Sequence, residues 1–145
     1  MTDGPLPVPA LIHATCVAIG DTGVLLRGAS GSGKSDLALR LIDRGAELVS
    51  DDYCHVSAIE GRLYVTPPDR IAGRIEVRGV GILALPYRPF AIAGLVVDLG
   101  EEPRLPDPAE TVIAGMTVPL VSITPFPASA PIKIERLVAC LKDNA

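Results

Sequence analysis

The 145-residue chain has only three cysteines, Cys16, Cys54 and Cys140. They are odd in number, widely spaced and without a paired C-x-x-C, which excludes a disulfide-stapled scaffold and a zinc site. Long hydrophobic runs are missing as well. The longest, residues 90–97, is interrupted by Gly94 and falls far short of the roughly 20 residues a bilayer span needs. There is no basic excess: 13 Lys and Arg stand against 17 Asp and Glu, for a net charge of −4. That balance argues against a general nucleic-acid role. No basic residue precedes an apolar stretch in residues 1–10, which instead hold Pro5, Pro7 and Pro9. The expectation is therefore an extended N-terminal arm over residues 1–10, no secretory signal and a cytoplasmic location. No internal repeat is visible.

What is present is apolar. Hydrophobic residues make up 48% of the chain and the mean hydropathy is +0.39, high for one soluble domain of this length. Two readings follow: strands buried on both faces, or an apolar patch that makes the chain a homo-oligomer. Residues 11–145 read as a single domain of α/β class. Residues 11–19 predict a strand, residues 20–23 a tight turn and residues 23–27 a buried strand, together a hairpin. Leu37, Ala38, Leu41 and Ile42 recur at helical spacing up to Gly45, a natural stop. A short strand over 47–50 ends at Asp51-Asp52. Residues 53–58, a Glu60-Gly61 turn and residues 62–66 predict a second hairpin closed off by Pro67-Pro68. Residues 94–99 read as another buried strand, and residues 112–123 as one or two more. Residues 101–110, with Pro103, Pro106 and Pro108, predict a mobile surface loop. Ser129, Pro131, Ile134, Leu137, Val138 and Leu141 describe a capped C-terminal helix.

The sharpest signal is Gly28-Ala29-Ser30-Gly31-Ser32-Gly33-Lys34-Ser35, which fits G-x-x-x-x-G-K-[ST] in full. Chance supplies about one such match per two hundred chains of this length. Its setting, after a strand and before a helix, is the one the chemistry needs. Glycines let the backbone fold into a concave nest of N–H groups, and the helix N-terminus adds partial positive charge. Lys34, expected to sit exposed at the phosphate site, would then neutralise the β- and γ-phosphates of a nucleotide such as ATP, and the Ser35 hydroxyl would ligate the bridging Mg²⁺.

A phosphotransferase further requires a carboxylate for metal, a base for the acceptor and charge at the transferring group. Asp51-Asp52 at a strand's carboxyl end offers acidic groups where α/β sheets place their sites, although such a pair also suits a solvated turn. His13 and His55 each read as structural or functional. Glu76 and Arg78 interrupt an apolar segment, where they must be ion-paired or used in catalysis.

Taken together, His13, the loop ending Gly33-Lys34-Ser35, the phrase Arg44-Gly45-Ala46-Glu47-Leu48-Val49-Ser50-Asp51-Asp52 and Glu76-Val77-Arg78-Gly79-Val80-Gly81-Ile82 resemble the catalytic domain of HPr kinase/phosphorylase in order and spacing. The resemblance covers residues 11–143. It implies a phosphate-loop (P-loop) domain of the HPr kinase / phosphoenolpyruvate carboxykinase-like type, a mixed sheet with a C-terminal helix. It also implies ATP-dependent phosphorylation of a serine on the phosphocarrier HPr, reversible with inorganic phosphate. Neither H-R-D nor D-F-G occurs, in keeping with a fold unlike that of eukaryotic protein kinases. By the same resemblance Asp52 is the proton acceptor, His13 the catalytic histidine and Lys34 the phosphate-loop lysine. Ser35 and Glu76 are the Mg²⁺ ligands, and Arg104 matches the arginine of a mobile loop. Asp51 and Arg78 are read as supporting residues of the site.

By this resemblance three departures from the family pattern are expected: the usual N-terminal domain not found ahead of the matched residues, a shortened central loop, and Pro125-Phe126-Pro127-Ala128-Ser129-Ala130 in place of an arginine-containing stretch. The first two bear on oligomerisation and allosteric control, the third on the reverse reaction. A small-molecule or carboxykinase-like phosphotransferase on the same fold, and a non-catalytic nucleotide-binding switch, are the alternatives. A guanine-reading switch is excluded, because Asn144 is the chain's sole asparagine and no N-K-x-D can form.

Overall fold

The computed structural model describes residues 9–143, so most of the expected N-terminal arm, residues 1–8, lies outside the described residues. Ala10, assigned above to that arm, already opens a strand. The elements are β1 (Ala10–His13), β2 (Thr15–Ile19), β3 (Thr22–Arg27), α1 (Lys34–Asp43), β4 (Glu47–Ser50), β5 (Tyr53–Ile59), β6 (Arg62–Thr66), β7 (Arg74–Val77), β8 (Gly81–Ala84), β9 (Ala91–Leu99), β10 (Ala109–Ile113), β11 (Met116–Ile123) and α2 (Ala130–Asp143). The mixed sheet and C-terminal helix are those the sequence predicts.

Nine strands form one sheet in the order β1-β5-β6-β9-β3-β2-β4, and β11 brings β10 onto the same side of β9 as β6. The strand expected over residues 11–19 is divided at Ala14. The division is a kink, because the antiparallel register continues across it: His13 faces Tyr53 on one side and Cys16 faces Ser50 on the other. β1 with β2, and β4 with β5, are thus two long bent strands lying side by side. Their outer edges pair with β3 and β6, which meet through β9. The sheet closes on itself, which leaves few unpaired edges.

Closure produces two cores. Inside the curl lie Cys16, Ala18, Leu25, Val49, Cys54, Val56, Leu63, Val65 and Val96. Outside it, Leu37 and Leu41 of α1 and Ile134 and Val138 of α2 pack on Val17, Val24, Leu26, Leu95 and Val97. Successive side chains of a strand point to opposite faces. The run Val24-Leu25-Leu26 therefore fills both cores and is fully buried, as the high hydropathy suggested. Each such side chain contributes roughly 1.5–3 kcal/mol.

β3 is parallel to β9, and β9 to β11. The segments that leave these strands, residues 28–33, 100–108 and 124–129, therefore gather at one end of the sheet. Residues 101–110 prove less free than expected. Ala109 begins β10, and the Glu102 carboxylate accepts from the Thr124 backbone N–H at 3.1 Å and from Lys133 Nζ at 2.6 Å. That lysine holds the Glu102 carboxyl below the usual carboxylate range. β7 and β8 form a separate two-stranded sheet, anchored by Ile75 in the outer core.

Candidate active site

The loop between β3 and α1 turns at Ala29, whose carbonyl accepts from Ser32 N–H at 3.0 Å. Gly31 and Gly33 adopt φ of +83° and +102°, a region that L side chains avoid. Gly33 is also the N-cap of α1 and has no side-chain cap, so the first-turn N–H groups stay free for an anion. The sequence reading leads one to expect Lys34 exposed. It is instead only 5% exposed, its stem packed below the loop and its ammonium donating to the carbonyls of Gly28 at 2.7 Å and Ala29 at 3.2 Å. A buried ammonium needs such partners.

Asp51 and Asp52 do not occupy a free strand end. They form the kink in the β4–β5 strand. Tyr53 N–H donates to the Asp51 carbonyl at 2.7 Å and Asp52 has φ +67°, a three-residue turn of the rare, strained sign. Thr15, fully buried in the facing bend, takes the place of the missing ladder bonds. Its Oγ1 accepts the Asp52 backbone N–H at 2.9 Å and donates to Asp51 Oδ1 at 3.3 Å.

The kink sends the two carboxylates to different partners. Asp51, 7% exposed, accepts the Ser35 hydroxyl on Oδ1 at 2.6 Å and the Glu76 backbone N–H on Oδ2 at 3.0 Å. Asp52, with its side chain 45% exposed, keeps Oδ1 2.7 Å from His13 Nε2 and 3.8 Å from Lys34 Nζ. Tyr53, the cross-strand neighbour of His13, stacks on the imidazole with ring centroids 5.2 Å apart.

A cleft of about 970 Å³ opens over these groups. It is lined by Ser30, Gly31, Gly33, Lys34 and Ser35 on one wall and by Val77, Arg78, Gly79 and Val80 of the β7–β8 hairpin on the other. Glu76 and Arg78 line it as exposed residues. The dilemma posed by their place in an apolar segment thus dissolves, for neither is buried and neither makes an ion pair among the described residues. Arg104 is exposed and lies outside the cleft lining; this conformation does not bring it to the site. His55 also lies elsewhere, beside Asp69 and Tyr87. Thr15, Tyr53 and Phe126 were not foreseen as site residues. Thr15 alone left a signal, a hydroxyl within an otherwise apolar strand.

The oxygens of Ser35 and Asp51 are hard donors held side by side and would suit Mg²⁺, which commonly takes one or two protein oxygens and completes its shell with water and phosphate. Among the described residues no group of three or more His, Cys, Asp and Glu stands close enough to form an all-protein metal cage.

Comparison with known proteins places this geometry in context. The family model described as "HPr Serine kinase C-terminal domain" matches residues 6–88. HPr kinase/phosphorylase of Clostridium tetani is 42% identical over 84 residues, 58% of this chain and 28% of the relative. That of Clostridium acetobutylicum is 41% identical over 100 residues, 69% of this chain and 32% of the relative. The chain thus spans about a third or less of the length of these relatives. A solved structure described as the Hpr(Ser) kinase/phosphatase from Coxiella burnetii superposes with a TM-score of 0.84 at 29% identity, covering 93% of this chain and 92% of that one.

Proposed function

This chain belongs to the HPr serine kinase C-terminal domain family, and from that premise we propose that it transfers the γ-phosphoryl group of ATP to a serine of an HPr-type phosphocarrier protein. The observation that carries the proposal is the division of labour between adjacent carboxylates. Asp51 is tied to Ser35, while Asp52 stands half-exposed beside His13 and Lys34.

A serine hydroxyl is a weak nucleophile, so a carboxylate within reach must take its proton as it attacks. Asp52 has that role: Oδ1 is held by His13, and Oδ2 has no partner among the described residues. The seryl oxygen forms its bond to the γ-phosphorus, the bond to the bridging oxygen breaks, the seryl proton passes to Asp52 and ADP leaves. Lys34, with its ammonium between the loop carbonyls and Asp52, lies where it can balance charge on the transferring group. The N–H groups of Gly31 and of Gly33, Lys34 and Ser35, left free by the turn and by the uncapped helix start, would cradle the β-phosphate. Ser35 and Asp51, with Glu76 across the cleft, would hold Mg²⁺, which supplies Lewis-acid stabilisation of the phosphate oxygens when bound. Residues 11–145 act as one catalytic unit in this reading, working in the cytoplasm; Arg104 would join only if its loop moves.

The test is labelled ATP incubated with HPr, with candidate small metabolites and with no acceptor. Label on a serine of HPr is expected, and Asp52→Asn should lower its rate by about 10²- to 10⁴-fold while ATP affinity changes little. Label on a small molecule with HPr untouched would replace the acceptor, and equal losses of rate and affinity would make Asp52 a metal ligand.

A further inference from the structure

One wall of the cleft carries an aromatic ring that proton transfer and metal binding leave unused. Phe126 follows β11 and is 69% exposed, although burying such a ring would normally be favourable by a few kcal/mol. It is not loosely held. Pro125 and Pro127 on either side restrict the backbone. The Arg40 guanidinium, leaning from α1 and paired there with Asp36 at 3.1 Å, donates to the Pro127 carbonyl at 3.2 Å and also to the Pro125 carbonyl. The ring rests against Gly33: a Cβ at that glycine would come within 3.2 Å of Phe126 Cε1, so the bare backbone permits the approach. Phe126 and Gly33 line the same cleft.

An exposed aromatic face is thus fixed beside the residue that begins the helix N-terminus, one position before Lys34. The ligand proposed for this loop has a polyphosphate at one end and a flat heterocycle at the other, joined by a single ribose. With the polyphosphate in the loop, the heterocycle lies one ribose beyond the α-phosphate, a reach that takes in a ring standing against Gly33 in the same cleft. We propose that Phe126 is the stacking platform for the nucleobase of the bound nucleotide. This deepens the kinase reading and rests on it. Stacking uses the π-face that every base possesses, so the platform contributes affinity with little choice between adenine and guanine.

Titration calorimetry with Mg²⁺-ATP, Mg²⁺-GTP and Mg²⁺-tripolyphosphate, which has no base, tests the proposal in the parent protein, Phe126→Ala and Phe126→Tyr. Phe126→Ala should weaken both nucleotides by roughly 5- to 150-fold, the range that loss of one base stack gives, and leave tripolyphosphate unchanged. Phe126→Tyr should restore nucleotide binding. Because the side chain is exposed, all variants should melt near the parent temperature. Equal weakening of tripolyphosphate would show that the ring only shapes the loop and would overturn the platform. So would unchanged nucleotide binding accompanied by a raised KM for the protein acceptor. A parent protein that binds neither ATP nor tripolyphosphate would instead overturn the nucleotide reading itself, and the platform with it.

Discussion

Thr15→Val isolates the device that holds the two carboxylates apart. The substitution keeps the shape of a fully buried side chain and removes one hydroxyl, which accepts the Asp52 N–H at 2.9 Å and donates to Asp51 at 3.3 Å. Leaving an N–H without its acceptor costs about 1–3 kcal/mol. The same N–H helps hold Asp52 at φ +67°, a conformation that itself costs about 1–2 kcal/mol for a non-glycine residue. The expected loss is therefore about 1–3 kcal/mol, a fall in Tm of roughly 4–12 °C for a domain of this size. Where the chain stays folded, Asp52 relaxes toward negative φ and leaves His13. At about 1.4 kcal/mol per factor of ten, transfer to the acceptor serine should fall about 10- to 100-fold, with ATP affinity within a few-fold because the loop is untouched. Thr15→Ser, which keeps the hydroxyl, should recover most of the rate. Thermal melts paired with ATP titration and initial rates decide the matter. A Thr15→Val protein that melts lower yet transfers at the parent rate would refute the link between the turn and Asp52, as would failure of the serine variant to recover activity.

Other consequences are open to direct measurement. Lys34→Ala should abolish transfer and also lower Tm, because the lysine stem is buried; Lys34→Met, which refills that space, should abolish transfer while melting closer to the parent, and activity in either variant would contradict the loop assignment. The reverse reaction, attack of inorganic phosphate on phosphoserine with release of pyrophosphate, should be weak, since residues 125–130 carry no Lys or Arg and Lys133 is engaged by Glu102 at 2.6 Å. Pyrophosphate release from serine-phosphorylated HPr at the forward rate would point to another cation, with Arg78 and Arg104 the first to replace. Burial raises the Cys54 thiol to about 12 and the Cys16 thiol well above its ordinary value, so at pH 8 a thiol reagent should modify only exposed Cys140 in the native protein and all three cysteines in denaturant; rapid native reaction of a second thiol would show that the inner core opens.

How far the sequence speaks depends on whether a feature is local. The glycine-rich turn before α1, α1 itself and the β5–β6 hairpin are written in adjacent residues, as glycines at turns and apolar residues at one period, and these elements stand where the sequence predicts them. The kink is not local. Nothing in residues 11–19 shows that Ala14 marks a bend, because the bend arises only when that strand lies against residues 47–59 and both continue into different parts of a closing sheet. Lys34 was expected at the surface for a similar reason: the carbonyls that satisfy it belong to Gly28 and Ala29, whose orientation follows from the turn. Phe126 and Gly33 are distant in sequence and meet only because β3, β9 and β11 run parallel, bringing their carboxyl ends to one side.

The β7–β8 hairpin touches the remainder of the site through few bonds. Ile75 anchors it in the outer core with Val77 and Leu83 packed partly buried beside it, and the Glu76 N–H reaches Asp51. The tip, residues 78–82, is exposed and shaped by Gly79 and Gly81 at φ +85° and +114°. Lys34, Ser35, Asp51 and Asp52 thus stand on the elements of the large sheet and α1, whereas the facing wall of the cleft belongs to a separate two-stranded sheet. Residues 78–82 can therefore vary in sequence at little cost to the packing that shapes the opposite wall of the cleft.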